Sequence, residues 1–170
     1  MTTIKKIDDS DMHLLIEKLG GPDGLERKSA REELVSLGKD SIDYLIELLK
    51  HPKHIYRWEA VKTLEEIGDP DSIPLFLEAL EDDKSDVRWI AAKGLIKLGA
   101  QSIKPLLKTL EKKSDSIFII TGAHHVFFDL HEMNLLPDDF PIDELLAALR
   151  NPEMSGSVRS VADGILHKLK

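Results

Sequence analysis

The chain has 170 residues, a net charge of −8, 42% hydrophobic and 32% charged side chains, and no cysteine. This balance fits one soluble helical domain and argues against a dedicated nucleic-acid binder or an anionic membrane surface as partner, either of which calls for a basic footprint. Without cysteine there are no disulfides, thiol chemistry or cysteine metal sites, and a reducing compartment is expected.

Residues 1–8 read as loose. Met12, Leu15, Ile16 and Leu19 recur at helical spacing until Gly20-Gly21-Pro22, which predicts a capping helix within an N-terminal segment 1–23. A pattern then begins that returns along the chain. ERKSAREELVSLG (26–38), YRWEAVKTLEEIG (56–68), VRWIAAKGLIKLG (87–99) and VRSVADGILHKLK (158–170) each place Arg, then Ala three later, Leu seven later and Leu or Ile ten later. After the first three come SIDYLIELL (41–49), SIPLFLEAL (72–80) and SIKPLLKTL (102–110). A period near 30 residues with two amphipathic stretches per period means stacked helical hairpins, here 24–52, 53–83, 84–113 and 114–153, followed by a last helix in 154–170.

Within each hairpin Gly38, Gly68 or Gly99 stops the first helix, and Asp40-Ser41 suits the N-terminus of a second. Pro74 and Pro105 are expected in the first turns of their helices. The fourth hairpin departs from the pattern. Ile120 stands at the Arg position, His131 at the Gly position, and a longer connection, EMNLLPDDFP (132–141), precedes the second helix. The apolar final helix has no expected second helix, so self-association through the terminal helices is expected. The N-terminus MTTIKKIDDSDM has no apolar leader and no apolar run nears the roughly 20 residues of a membrane span, so a cytoplasmic location is expected.

The residues Val87-Arg88, Ala91-Ala92, Leu95, Leu98-Gly99 and Ser72-Ile73-Pro74-Leu75 resemble HEAT repeats, in particular the short class known from phycobilin lyases. The resemblance covers about residues 24–170 and implies an all-α, right-handed α-solenoid of stacked HEAT-like hairpins, about ten helices in all. It implies a non-catalytic scaffold or adaptor for a protein partner; from the charge and the residues themselves no cofactor, metal, nucleic acid or membrane is expected. The alternative is an enzyme or accessory subunit related to phycobilin lyases, or a metal-dependent or DNA-repair relative. Deoxyhypusine hydroxylases bind two irons through several His-Glu pairs, whereas this chain has only His131-Glu132 and carries Trp58-Glu59 where a pair would fall. Alkylpurine glycosylases of this fold use a basic concave groove. Trp58 and Trp89 instead sit on first helices, about 160° from the Ala/Leu stripe, at equivalent places in adjacent repeats.

The motif arginines Arg27, Arg57, Arg88 and Arg159 are expected to pair with turn carboxylates, with Asp40, Asp69 and Asp71 available. No catalytic, cofactor or metal residues are assigned. Binding candidates are Trp58 and Trp89, the second-helix rows containing Asp43, Glu47, Glu78, Lys104 and Lys108, and the fourth-unit loop with Leu135, Leu136 and Phe140. Glu78 and Lys108 are placed to form an exposed ion pair. The loop is expected to fold back over its helix.

Overall fold

The structure, a computed structural model, describes residues 8–151 and 155–169, with 155 and 156 in backbone only. All regular structure among them is helical, in ten α-helices and one short 3-10 turn. The fold class is the α-solenoid. The chain divides into two compact units, Met1–Ile67 and Gly68–Lys170.

The first unit contains α1 (Asp9–Leu19), α2 (Gly24–Leu37), α3 (Lys39–Leu48) and α4 (His54–Ile67). Carboxylates open the first two helices: Asp8 accepts from the Asp11 amide at 2.8 Å, and Asp23 from the Leu25 amide at 2.7 Å. Their apolar stripes meet in a core of Leu19, Leu34, Leu45 and Leu64, each fully buried. Such a leucine contributes about 1.5–3 kcal/mol relative to exposure.

The second unit begins with a 3-10 turn (Pro70–Ser72). It continues through α5 (Ile73–Ala79), α6 (Ser85–Leu98), α7 (Ala100–Lys112), α8 (Ile117–Glu132), α9 (Ile142–Leu149) and α10 (Ser155–Lys168). Its core is formed by Phe76, Leu80, Leu95, Leu106, Leu107, Leu110, Phe127 and Leu130. The small residues of α6 and α8 set how closely helices approach. A Cβ on Gly94 would lie 2.5 Å from the Phe76 ring, and one on Gly122 would lie 2.8 Å from Leu80.

The motif arginines share a backbone partner that charge pairing alone does not suggest. Arg27 Nη1 donates to the carbonyl of Gly21 at 2.8 Å, Arg57 Nη1 to that of His51 at 2.9 Å, and Arg88 Nη1 to that of Asp82 at 2.7 Å. Each reaches back six residues, to the turn that follows the preceding helix. These carbonyls lie two or three residues past the helix end, in a turn with no regular donor, and the guanidinium supplies one close to the negative end of the helix dipole. The equivalent partner of Arg159 lies outside the described residues. Asp69 caps the 3-10 turn, accepting from the Asp71 amide at 2.9 Å.

The turns within hairpins also differ in detail from the sequence reading. Gly38 and Gly99 sit at φ +58° with ψ near −130°, a region closed to side-chain-bearing residues, and each alone joins two helices. The following helix therefore starts earlier than expected. Ser41 and Ser102 are not N-caps: both are fully buried, and their hydroxyls donate to the Gly38 and Gly99 carbonyls at 2.8 Å. For the same reason Pro105 lies inside α7 rather than in its first turn. The carbonyl it deprives of a donor belongs to the exposed Gln101, where solvent can replace it. In α8 the left-handed residue is Asn134 (φ +56°), not His131. The Leu135 amide bonds to the Leu130 carbonyl and the Asn134 amide to the His131 carbonyl, both at 2.9 Å, forming a Schellman turn.

The largest departure is α10. Its stripe of Val158, Ala162 and Ile165 is buried within the chain, chiefly against α7 and α9 rather than beside α8. The helices α7, α8, α9 and α10 thus close a ring of neighbours. Val161 and Leu166 on the same helix, and Leu169 just after it, stay partly exposed.

Replacing Gly99 by Ala should lower stability by about 1–3 kcal/mol, the range for a residue forced into a disfavoured backbone region. Gly164→Ala, at a helical position of α10 with no neighbour within 4 Å, should raise it by about 0.5–1 kcal/mol. Urea midpoints of the two variants check this, and equal shifts would contradict the assigned roles.

Candidate functional site

Trp58 and Trp89 occupy the same repeat position, yet their surroundings differ. On α4, Trp58 is partly buried, with the Arg31 guanidinium 5.9 Å from its ring centroid. It borders a charge cluster joining α2 and α4. Glu59, only 3% exposed, accepts from Arg31 Nη1 at 2.6 Å and lies 3.4 Å from Arg27 Nε. Arg31 Nε also reaches Glu66 at 3.2 Å, and Lys62 links Glu66 to Glu65. Burial acts to lower the Lys62 pKa, but its bonds to Glu65 and Glu66 raise it overall. Opposite charges are matched throughout, so this cluster explains the position of Trp58 as part of the framework.

Trp89, on α6, is 54% exposed. It stands at one side of a groove between α6 and α8, with a volume of about 180 Å³. The α6 side presents Ser85, Arg88, Trp89 and Ala92, and the α8 side Phe118, Thr121, Gly122 and His125. Helical spacing explains both sets: 85, 88, 89 and 92 share one face of α6, while 118, 121, 122 and 125 share one face of α8. The floor is small, at Ala92 and Gly122. The walls are aromatic, with the His125 ring edge-on to Trp89 at 4.4 Å and the Arg88 guanidinium over the Phe118 ring at 4.1 Å. Asp129, one turn on, lies 3.4 Å from His125 Nε2 and orients that ring. Of these residues the sequence reading singled out Trp89 as a binding candidate and assigned Arg88 to structure alone. Phe118 and His125 were missed as groove residues, although their spacing on α8 could have indicated a shared face.

Beside the groove, α8 exposes Ile117 and Phe128. His124 stacks on Phe128 with centroids 6.3 Å apart, and Arg150 Nε lies 3.4 Å from its Nε2. Partial burial, then the charges of Arg150 and His125, lower the His124 pKa.

The loop after α8 folds back through Phe140, which is buried and stacks on Phe127 at 5.6 Å. Leu136 is half-buried, whereas Leu135 remains exposed. A second, more polar hollow of about 240 Å³ lies under this loop, between His131, Asn134 and Asp138. The row residues Asp43 and Glu47 are exposed on α3 of the first unit, and Glu78, Lys104 and Lys108 on α5 and α7 of the second. An ion pair joins Glu81, just after α5, to Lys113, just after α7. Because α10 is the main neighbour of α7, the rows do not run on from α7 to α9 as the repeat alignment assumed.

The charge cluster and His124 each give a prediction. Arg31→Ala leaves Glu59 buried with a weaker partner and should cost about 3–5 kcal/mol, measured by denaturant unfolding; a loss below about 1 kcal/mol, the value of a surface pair, would contradict that role. The fold disfavours His124 protonation, so the unfolded chain takes up this proton first as pH falls below the ordinary value of 6.5. Its contribution is therefore present above that value and lost below it. Stability measured between pH 7.5 and about 5 should fall less steeply in His124→Gln than in the wild type.

Among the described residues no group of three or more His, Cys, Asp or Glu is arranged to hold a metal ion, and no helix is long and apolar enough to cross a membrane. No curated protein matches the chain. A sequence model of HEAT repeats matches residues 12–96 and 42–121. Those spans take in the three regular hairpins, with their arginine-anchored turns, and reach into α8. The chain belongs to the HEAT-repeat family.

Proposed function

We propose that the chain is a non-catalytic interaction module that binds a segment of another protein in the groove between α6 and α8. HEAT repeats commonly mediate protein–protein contacts, and the observation that carries this reading is the exposure of Trp89 at 54% beside Phe118 at 38%. A pair of large rings flanking a floor of Ala and Gly offers an apolar anchor point. Aromatic side chains in such settings supply much of the energy of protein interfaces. Ile117 and Phe128 extend the apolar surface along α8.

The test is affinity capture with the purified chain, read by mass spectrometry, comparing wild type with the double variant Trp89→Ala, Phe118→Ala. Both side chains project outward, so the melting temperature should change little. A specific partner retained by the wild type should be reduced at least about tenfold on the variant. Undiminished capture by a variant that melts normally would place binding elsewhere.

A further inference from the structure

We infer that the α6–α8 groove selects an acidic segment with apolar anchors, its carboxylates lying along α6 and its apolar side chains along α8. This rests on the reading that the groove binds protein and adds the chemistry of the partner.

The two walls differ in charge. Between 117 and 132, the whole of α8, there is no Lys or Arg, and the groove side offers Phe118, Thr121 and His125. The α6 side carries Lys84, Arg88, Lys93 and Lys97, of which the three lysines are exposed. Lys93 follows Trp89 by one helical turn and so stands on the same face. The third hairpin as a whole is the cationic part of an acidic chain. From 84 to 113 it has eight Lys or Arg against only Asp86 and Glu111, a local charge of +6 in a chain of −8. The carboxylates near the groove keep their charge but are turned toward local partners, Lys84 among them, which leaves Arg88, Lys93 and Lys97 as the cations along α6. Asp129 faces His125, Asp86 accepts from the Val87 amide, Asp82 accepts from the Lys84 amide, and Asp83 pairs with Lys84.

An incoming segment with one apolar and one acidic edge would meet complementary surfaces on both sides. The field of this hairpin, still +3 (eight cations less five carboxylates) when Glu81, Asp82 and Asp83 are counted with it, would also speed encounter and disfavour basic competitors. A nucleic-acid strand fits less well. Cations line one wall only, and a volume of about 180 Å³ accommodates an anchoring side chain or two rather than a run of stacked bases.

The test uses three sets of synthetic 12-residue peptides that share Leu and Phe anchors and contain no Trp. One set is flanked by Asp and Glu, one by Ser and Asn, and one by Lys and Arg. Binding to the whole chain is read from Trp89 fluorescence in a Trp58→Phe background. The acidic set should bind at least about tenfold more tightly than the other two and weaken as salt rises from 50 to 500 mM, since screening acts on exposed charges. Lys93→Glu should weaken it about tenfold, while Lys104→Glu with Lys108→Glu, on α7, should change it by no more than about twofold.

Equal binding of the uncharged or basic set would overturn the acidic assignment. So would tighter binding of single-stranded oligonucleotides at the same salt, or no peptide binding at all. In these cases the capture experiment decides separately whether the groove binds protein: partner loss on the Trp89, Phe118 variant keeps that reading, and undiminished capture removes it as well.

Discussion

Three arginines donate to carbonyls six residues behind them, and the rest of the repeat is arranged so that they can. Each guanidinium sits near the start of a first helix and reaches the turn that follows the preceding helix. One side chain therefore ties a new hairpin to the previous one by giving the connecting turn a donor for its carbonyl. The glycine turn within the hairpin performs the complementary task. In the first and third hairpins, at φ +58°, it reverses the chain in one residue and a buried serine hydroxyl bonds to its carbonyl, whereas in the second Gly68 is followed by the 3-10 turn. Arg and Gly thus recur at the two turns of each regular unit, with Ser bonded to the Gly turn in the first and third. The Ala and Leu positions then need only fill the space between helices.

Where the chain gives up these anchors, its arrangement changes. In α8 Ile120 takes the Arg position, and the helix ends in an Asn134 Schellman turn followed by a loop that Phe140 pins to Phe127. The last helix then lies against α7 and α9. As a result α8 keeps Ile117, Phe118 and Phe128 exposed instead of packing them beneath another first helix. The groove with Trp89 lies at the junction between the last regular first helix and this irregular one. Its exposure follows from the same departure from the repeat that ends the regular pattern.

Much of the framework was legible in the sequence because it rests on local rules: helical spacing, the stop at Gly, and the spacing of Arg from Ala and Leu. The placement of α10 was not. Val158, Ala162 and Ile165 announce a buried stripe, but a stripe does not name the helix that buries it. The carbonyl partners of the arginines were not legible because a backbone carbonyl leaves no mark in the sequence. Trp58 and Trp89 looked equivalent by register. They were separated by Arg31 and Glu59 on one side and by His125 and Phe118 on the other, contacts between helices that no spacing within one helix reveals. The basic character of residues 84–113 was countable from the start, but the net charge of the chain concealed it.

If the arginine anchor is what the repeat depends on, its removal must cost stability without disturbing the groove. The most direct measurement is the urea unfolding of Arg57→Met, which keeps an unbranched side chain of similar length and deletes the donors. A loss of about 1.5–3 kcal/mol, the range for a hydrogen bond to a charged group, with the fluorescence of Trp89 in the folded state unchanged, is the expected result. An unchanged unfolding midpoint would contradict the account, since the carbonyl of His51 would then need no guanidinium to hold its turn.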